Sequence, residues 1–156
     1  MVTQLTLNEV LEKAIGKEVE SQHLYSDLSR QMTNTAAKDA FLELFRQEQG
    51  HQKLLEQYLR GELKEGTLGR KQVIDYKIAQ QLDLPEISPD MKLKDIFLLA
   101  SNREKASHEF YLSFAEIHPP GEPKRLIEQL VTQELAHKQR VEFLYTEVAF
   151  PQTNGG

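Results

Sequence analysis

Residues 45–56 read FRQEQGHQKLLE, a stretch with the apolar spacing of an amphipathic helix. The middle of the stretch departs from that spacing, because Glu48 and His51 stand where buried leucines are expected. Residues three apart lie on one face of a helix, about one turn from each other. A helix that directs a carboxylate and an imidazole toward the core needs a chemical reason for doing so.

The same pattern returns 86 residues later, where residues 131–142 read VTQELAHKQRVE. The offset of 86 maps one set of residues onto another without a gap: Ala14, Glu18, Ser21, Tyr25, Glu48 and His51 become Ala100, Glu104, Ser107, Tyr111, Glu134 and His137. A single offset that retains every polar residue of the apolar stripes indicates two copies of one helical hairpin.

Helical spacing predicts four long helices and almost no strand. The first hairpin turns near Thr33 and the second near Pro119, and in each hairpin the glutamates of both helices lie 15 residues from the turn. At ~1.5 Å per residue, all four glutamates come to one level, roughly 22 Å from the turns. We expect an all-α four-helix bundle, made of two antiparallel hairpins joined by a long crossover.

The predicted organisation is a single domain that spans the whole chain. Its parts are a hairpin over residues 5–61, a crossover over 62–91 with a short helix within 70–82, a second hairpin over 92–148 and a short tail over 149–156. The 30 residues of the crossover are enough to carry the chain back along a bundle ~35–40 Å long.

Composition excludes several classes of protein. The chain has 156 residues, a net charge of -5 and no cysteine, which argues against nucleic-acid binding and excludes disulfides and thiolate metal sites. No segment approaches the ~20 apolar residues that span a bilayer, and the N-terminus has no apolar run of signal length. We therefore expect a cytoplasmic protein with neither nucleic acid nor membrane as a partner.

Four carboxylates buried together, without basic residues on the same stripes, require neutralisation. Two divalent ions would balance four negative charges, with one imidazole and several carboxylate oxygens for each ion. The predicted metal ligands are Glu18, Glu48, His51, Glu104, Glu134 and His137. Oxygen-rich sites with one nitrogen per ion and no sulfur favour iron or manganese, and zinc is an alternative.

Five further residues lie near this pattern, two tyrosines and three histidines. Tyr25 and Tyr111 lie two turns beyond a predicted ligand, either as core aromatics or as hydroxyls that support a ligand carboxylate; both interpretations stay open. His23 has no counterpart under the offset of 86 and is interpreted as a surface residue. His108 is interpreted as a polar flank and His118 as part of the second turn.

The two hairpins resemble the rubrerythrin-type, ferritin-like diiron proteins. AIGKEVESQHLYSDL and LASNREKASHEFYLSFA are similar to the first and third helices of that family, and FRQEQGHQKLLE and VTQELAHKQRVEFLY to the second and fourth. The resemblance implies a carboxylate-bridged diiron centre with Glu48 and Glu134 as bridges. It pairs Glu18 with His51 on one iron. Rubrerythrins also carry a ligand glutamate where this chain has Ser107, and commonly a cysteine-bound domain that this chain lacks.

By the same resemblance, Glu104 and His137 complete the second iron, and the chain is a non-haem diiron oxidoreductase. It would reduce hydrogen peroxide or react with dioxygen, with ferroxidase activity as a further option, and would take electrons from a separate donor protein. The alternative is a non-enzymatic protein that handles, buffers or senses iron. A homodimer is also expected, because some aromatic side chains would then be buried between chains; these are Phe97, Phe110, Phe143 and Phe150.

Overall fold

The computed structural model describes residues 6–62, 79 and 82–149. Within these ranges the regular structure consists of four long helices: α1 (Leu7–Gln31), α2 (Thr35–Leu59), α3 (Leu93–Glu116) and α4 (Glu122–Ala149). The predicted all-α four-helix bundle is confirmed. The short helix predicted within the crossover falls almost wholly outside the described residues.

The ends of α2 are determined by a capping residue and a glycine, which can be recognised in the sequence. The side chain of Asn34 accepts hydrogen bonds from the backbone N–H groups of Ala36 and Ala37, at 2.7 and 3.4 Å, and so caps the helix N-terminus. At the other end Gly61 has φ +74°, a left-handed conformation that glycine adopts without steric cost. Glu62 N then donates to Gln57 O at 2.9 Å, which closes the helix with a Schellman motif.

The helices pack as two antiparallel hairpins, α1 with α2 and α3 with α4, which meet where α2 faces α3 and α1 faces α4. In the first hairpin Gln22 Nε2 donates to Gln52 Oε1 at 2.6 Å, a hydrogen bond that links α1 to α2. The backbone N–H of Thr33 donates to Pro89 O at 2.8 Å. This bond places the start of α3 beside the first turn, at the end of the bundle opposite to the C-terminus of α2.

The core consists of two apolar clusters with a polar layer between them. The cluster toward the first turn contains Tyr25, Leu28, Met32, Ala37, Phe41, Leu44, Met91, Ile96, Leu99, Ala100 and Val141. The cluster toward the second turn contains Val10, Leu11, Ala14, Leu55, Tyr111, Ala115, Leu126, Ile127 and Leu130. Charged residues along the four described helices leave none of them with an apolar run that would cross a bilayer.

Candidate metal centre

The polar layer between the two apolar clusters contains the six residues that the sequence singles out. Each helix contributes a glutamate, and α2 and α4 each add a histidine three residues further on, on the same face. The glutamates, with exposed fractions between 4% and 7%, are Glu18, Glu48, Glu104 and Glu134. The side chains of His51 and His137 are 21% and 15% exposed. Such burial of carboxylates is costly unless they are neutralised.

Each hairpin forms one half of the centre. In the first half-site, made of Glu18, Glu48 and His51, the histidine Nδ1 lies 3.6 Å from an Oε2 oxygen of both glutamates. The second half-site is made of Glu104, Glu134 and His137, and the corresponding two distances are both 3.7 Å. The internal repeat of the sequence is thus a repeat of geometry.

The histidine nitrogens are aimed at the carboxylates without bonding to them. Nδ1 of His51 and of His137 is buried and has no hydrogen-bond partner. A buried nitrogen without a hydrogen-bond partner is unfavourable, and a metal ion bound between it and the carboxylates would satisfy it. Two ligand atoms that each lie about 2.1 Å from one ion are roughly 3.0–3.6 Å apart, close to the spacing of these donors. The residues therefore fit a metal in each half-site.

The donor set also fits the metals expected from the sequence. The donor atoms fall into two groups, each within 4.8 Å: Glu18, His51 and His137 in one, and Glu104, Glu134 and His137 in the other. Carboxylate oxygens with one or two imidazole nitrogens and no sulfur suit iron and manganese. His137 belongs to both groups, so the two half-sites form one continuous centre.

Burial and proximity separate the two glutamates of the first half-site. Burial, hydrogen bonding with Glu48 and the charges of Glu48 and Glu134 raise the pKa of Glu18 to about 12. Burial also opposes ionisation of Glu48, but hydrogen bonding with Glu18 and the nearby imidazole of His51 outweigh it and lower the pKa to about 2. One of the two carboxyl groups therefore keeps a proton and the other is ionised.

The second half-site follows the same pattern. Burial and the negative charge of Glu134 raise the pKa of Glu104 well above its ordinary value. For Glu134 burial is again unfavourable to the anion, yet the nearby imidazole of His137 and hydrogen bonding with Glu104 lower the pKa. Without metal, burial and proximity thus favour a proton on Glu18 and Glu104 and a negative charge on Glu48 and Glu134, and a bound cation would compete with the protons.

Tyr25 and Tyr111 lie on either side of the polar layer, one in each apolar cluster. Their rings pack against aromatic neighbours, Tyr25 on Phe41 at 6.2 Å and Tyr111 edge-on to Phe110 at 5.2 Å. Burial and the nearby glutamate charges raise the pKa of both phenols. Each hydroxyl therefore keeps its proton and stays a hydrogen-bond donor, although neither forms a hydrogen bond to a ligand carboxylate in the described structure.

The two groups of donor atoms found in the described residues do not include the other histidines. His23 is exposed. Nδ1 of His108 lies 3.0 Å from Val131 O, and Nδ1 of His118 lies 2.9 Å from Phe114 O, so both rings pair with backbone carbonyls. His118 is 4% exposed and packs edge-on against the ring of Phe114. These contacts account for the two rings without a metal.

Two features near the centre were not predicted from the sequence. Lys17 and Arg103 lie beside the four glutamates, on the α1–α3 side. The offset of 86 relates these two residues to each other, so the repeat in the sequence could have identified them. In α4, Lys138 Nζ lies 2.7 Å from Glu142 Oε1, with both residues 0% exposed. Their spacing of four on an apolar face was the only signal of this buried ion pair.

Comparison with known proteins bears on the identity of this centre. The family model described as Rubrerythrin matches residues 9–145, which include all four described helices almost completely. No curated protein and no solved structure matches the chain significantly. The match covers both half-sites and implies an iron-binding, diiron-carboxylate protein. The chain belongs to the rubrerythrin family.

Proposed function

We propose that the centre binds two iron ions, one in each half-site, and that the chain is a non-haem diiron oxidoreductase. It reduces hydrogen peroxide, or reacts with dioxygen, with electrons from a separate donor protein. The observation that supports this proposal is the pair of matched half-sites, each with a buried imidazole nitrogen that has no partner. Bound as ferrous ions, the metals supply the two electrons that convert peroxide and two protons to two molecules of water.

The protein residues hold and balance charge in this scheme. Glu18 and Glu104 give up their protons when metal binds, because a cation replaces the proton as the partner of each carboxylate. Glu48 and Glu134 are proposed as the bridges. Each of these two interacts through hydrogen bonds with a glutamate of the opposite half-site, Glu48 with Glu104 and Glu134 with Glu18, which supports that role.

The experiment is a comparison of the wild-type protein with the Glu48→Gln variant, which keeps the shape of the side chain and removes its charge. Wild-type protein should contain about two irons per chain and should be oxidised rapidly by hydrogen peroxide, with turnover on added reductant. Glu48→Gln should lose most of its iron and its turnover. The matched control is Glu43→Gln, an exposed position on the same helix, which should behave as the wild type.

Two results would contradict the proposal in different ways. A Glu48→Gln variant with two irons and full peroxide turnover would remove the assigned bridge. Wild-type protein that binds two irons but shows no turnover with peroxide or dioxygen would instead indicate iron handling, the alternative function. Circular dichroism of each variant separates loss of metal from loss of fold.

A homodimer remains a proposal and is supported by one residue above all. Phe143 is 53% exposed on α4. Phe97 and Phe110 are half-buried within the chain, and Phe150 falls outside the described residues. Light scattering should give twice the mass of the chain for the wild type and a smaller mass for Phe143→Ser; a monomeric wild type would contradict the proposal.

A further inference from the structure

A cavity of about 430 Å³ lies beside the centre, between α1, α3 and the end of the crossover. The apolar part of its wall is formed by Leu24, Leu84, Ile87, Leu99 and Ala106, and Glu20 and Asn102 add polar side chains. Leu84 and Ile87 are 62% and 52% exposed, a high exposure for large apolar side chains. The cavity thus has an apolar outer part that opens to solvent.

The inner end of the cavity leads toward the glutamates. Lys17, Ser21, Arg103 and Ser107 line this cavity and also a much smaller one, about 10 Å³, whose other walls are the four ligand glutamates. The four shared residues therefore form a polar neck between the large cavity and the centre. Under the offset of 86 they are two matched pairs, Lys17 with Arg103 and Ser21 with Ser107.

The neck is narrow and positively charged. Arg103 Nη2 donates to Ser21 Oγ at 3.2 Å, while Arg103 Nε is buried and has no hydrogen-bond partner. Lys17 Nζ lies 4.3 Å from the centroid of the Phe110 ring. The neck thus holds a buried donor that an oxygen atom of a ligand would satisfy.

The cavity is too large and too apolar for the peroxide of the proposed reaction. A water molecule takes up about 30 Å³ in the liquid, and hydrogen peroxide is only slightly larger. Pockets of roughly 300–1,000 Å³ bury organic molecules, with a few polar groups that fix their orientation. An apolar wall outside and a polar neck inside suit a molecule with an apolar body and an oxygen-bearing end.

We propose that this cavity binds the organic part of an organic hydroperoxide, whose O–O group enters the neck between Arg103 and the two serines. The inference rests on the proposed function and names the substrate class of the same centre. The O–O bond breaks, and the hydroperoxide takes up two electrons and two protons to give an alcohol and water. Bound ferrous ions would supply the two electrons and would be reduced again by the external donor; the protons come from solvent. The Arg103 guanidinium donates hydrogen bonds to the substrate oxygen.

The experiment fills the cavity without touching the ligands. Ala106→Phe places a large side chain at the exposed rim, and the matched control Ser113→Phe adds the same side chain at an exposed position of α3 outside the cavity. Binding of 2-phenylpropan-2-ol, the alcohol product of cumene hydroperoxide, is measured by calorimetry on the full-length metal-loaded protein. KM is measured for cumene hydroperoxide and for hydrogen peroxide.

We expect the wild type and Ser113→Phe to bind the alcohol and reduce both peroxides. Ala106→Phe should bind the alcohol at least tenfold more weakly and show at least a tenfold higher KM for cumene hydroperoxide, with less than a twofold change for hydrogen peroxide. Turnover of hydrogen peroxide without alcohol binding, or equal effects of Ala106→Phe on both peroxides, would overturn this inference alone. Absence of turnover with either peroxide would overturn the proposed function and this substrate with it.

Discussion

The imidazole rings of His51 and His137 lie parallel, with their centroids 3.5 Å apart and their planes 2° from each other. One ring comes from each hairpin, so this stack joins the two copies of the repeat at the centre of the bundle. Burial lowers the pKa of His51, and a charge on His137 would lower it further. Burial and this contact therefore favour the neutral imidazole of His51, the form of histidine that binds metal ions.

Because the two half-sites have matched geometry, loss of either histidine should have nearly the same effect. Changes to residues that merely support a metal ligand already cost about 10- to 100-fold in affinity. We therefore expect His51→Ala and His137→Ala each to weaken iron binding by at least about 100-fold, measured by competition with a chelator. The control His23→Ala, at an exposed position, should leave iron affinity unchanged.

A large difference between the two variants would show that the two half-sites are not equivalent. His51→Ala with wild-type affinity would show that the imidazole stack has only a structural role.

Stability of the metal-free protein should fall as pH rises. The pKa of Glu18 is raised from 4.5 to about 12 in the folded state. Its contribution to the free energy of unfolding is therefore complete below about pH 4.5 and is lost as pH rises from there toward about 12. Glu104 acts in the same direction. Each group contributes at most about 1.4 kcal/mol per pH unit. We expect the Tm of metal-free protein to be lower at about pH 8 than at about pH 5.

Metal should reverse this trend, because protons compete with the cations for the same carboxylates and the competition weakens as pH rises. The pKa of Glu48 is lowered to about 2, so the contribution of Glu48 to stability changes only below about pH 4.5. Glu48 therefore does not affect the comparison between about pH 5 and about pH 8. Calorimetric scans with and without metal test both slopes. The Glu18→Gln/Glu104→Gln double variant should show little pH dependence without metal, and a slope equal to that of the wild type would refute the assignment.

Substitution of Tyr25 and Tyr111 tests whether their hydroxyl groups support the metal-binding carboxylates. Because the raised pKa keeps each phenol protonated, each hydroxyl is available to donate to a carboxylate once metal has rearranged the centre. We expect Tyr25→Phe and Tyr111→Phe each to weaken iron binding by about tenfold, by the same chelator assay, with aromatic packing preserved. Unchanged affinity in both variants would identify the tyrosines as core residues only.

The repeat in the sequence was sufficient to predict the bundle and the shared level of the four glutamates. Buried carboxylates break the apolar pattern, and an offset of 86 reproduces the break, so pattern alone places Glu18 opposite Glu48 and Glu104 opposite Glu134. The helix ends were equally readable, since Asn34 and Gly61 have local roles that depend on few other residues. Short-range rules thus carried most of the prediction.

Contacts between segments that are distant in the sequence could not be predicted from these short-range rules. The cavity depends on how the end of the crossover, at Leu84 and Ile87, lies against α1 and α3, and no periodicity encodes that distance. The stack of the two imidazoles depends on the rotation of α2 against α4. Spacing along each helix identifies the ligands but leaves the orientation of their rings undetermined.

The buried pair of Lys138 and Glu142 is the clearest case of a missed long-range network, and it yields the last prediction. Glu142 Oε1 accepts from Ser101 Oγ at 2.8 Å and from Ala79 N at 3.2 Å, besides its contact with Lys138. These bonds join α4 to α3 and to the crossover. Removal of one partner from a buried pair leaves an uncompensated charge, which costs about 3–5 kcal/mol.

We therefore expect Lys138→Met to lower the free energy of unfolding by about 3 kcal/mol or more, measured by urea denaturation of the metal-loaded protein. The double variant Lys138→Met/Glu142→Leu should recover much of that loss, because no charge is then left buried. The control is Gln52→Met, at the position in α2 that the offset of 86 relates to Lys138. Gln52 is partly buried and uncharged, so its loss should cost only about 1 kcal/mol. Equal losses for Lys138→Met and the double variant would mean that packing, rather than charge, determines stability at this point of the bundle.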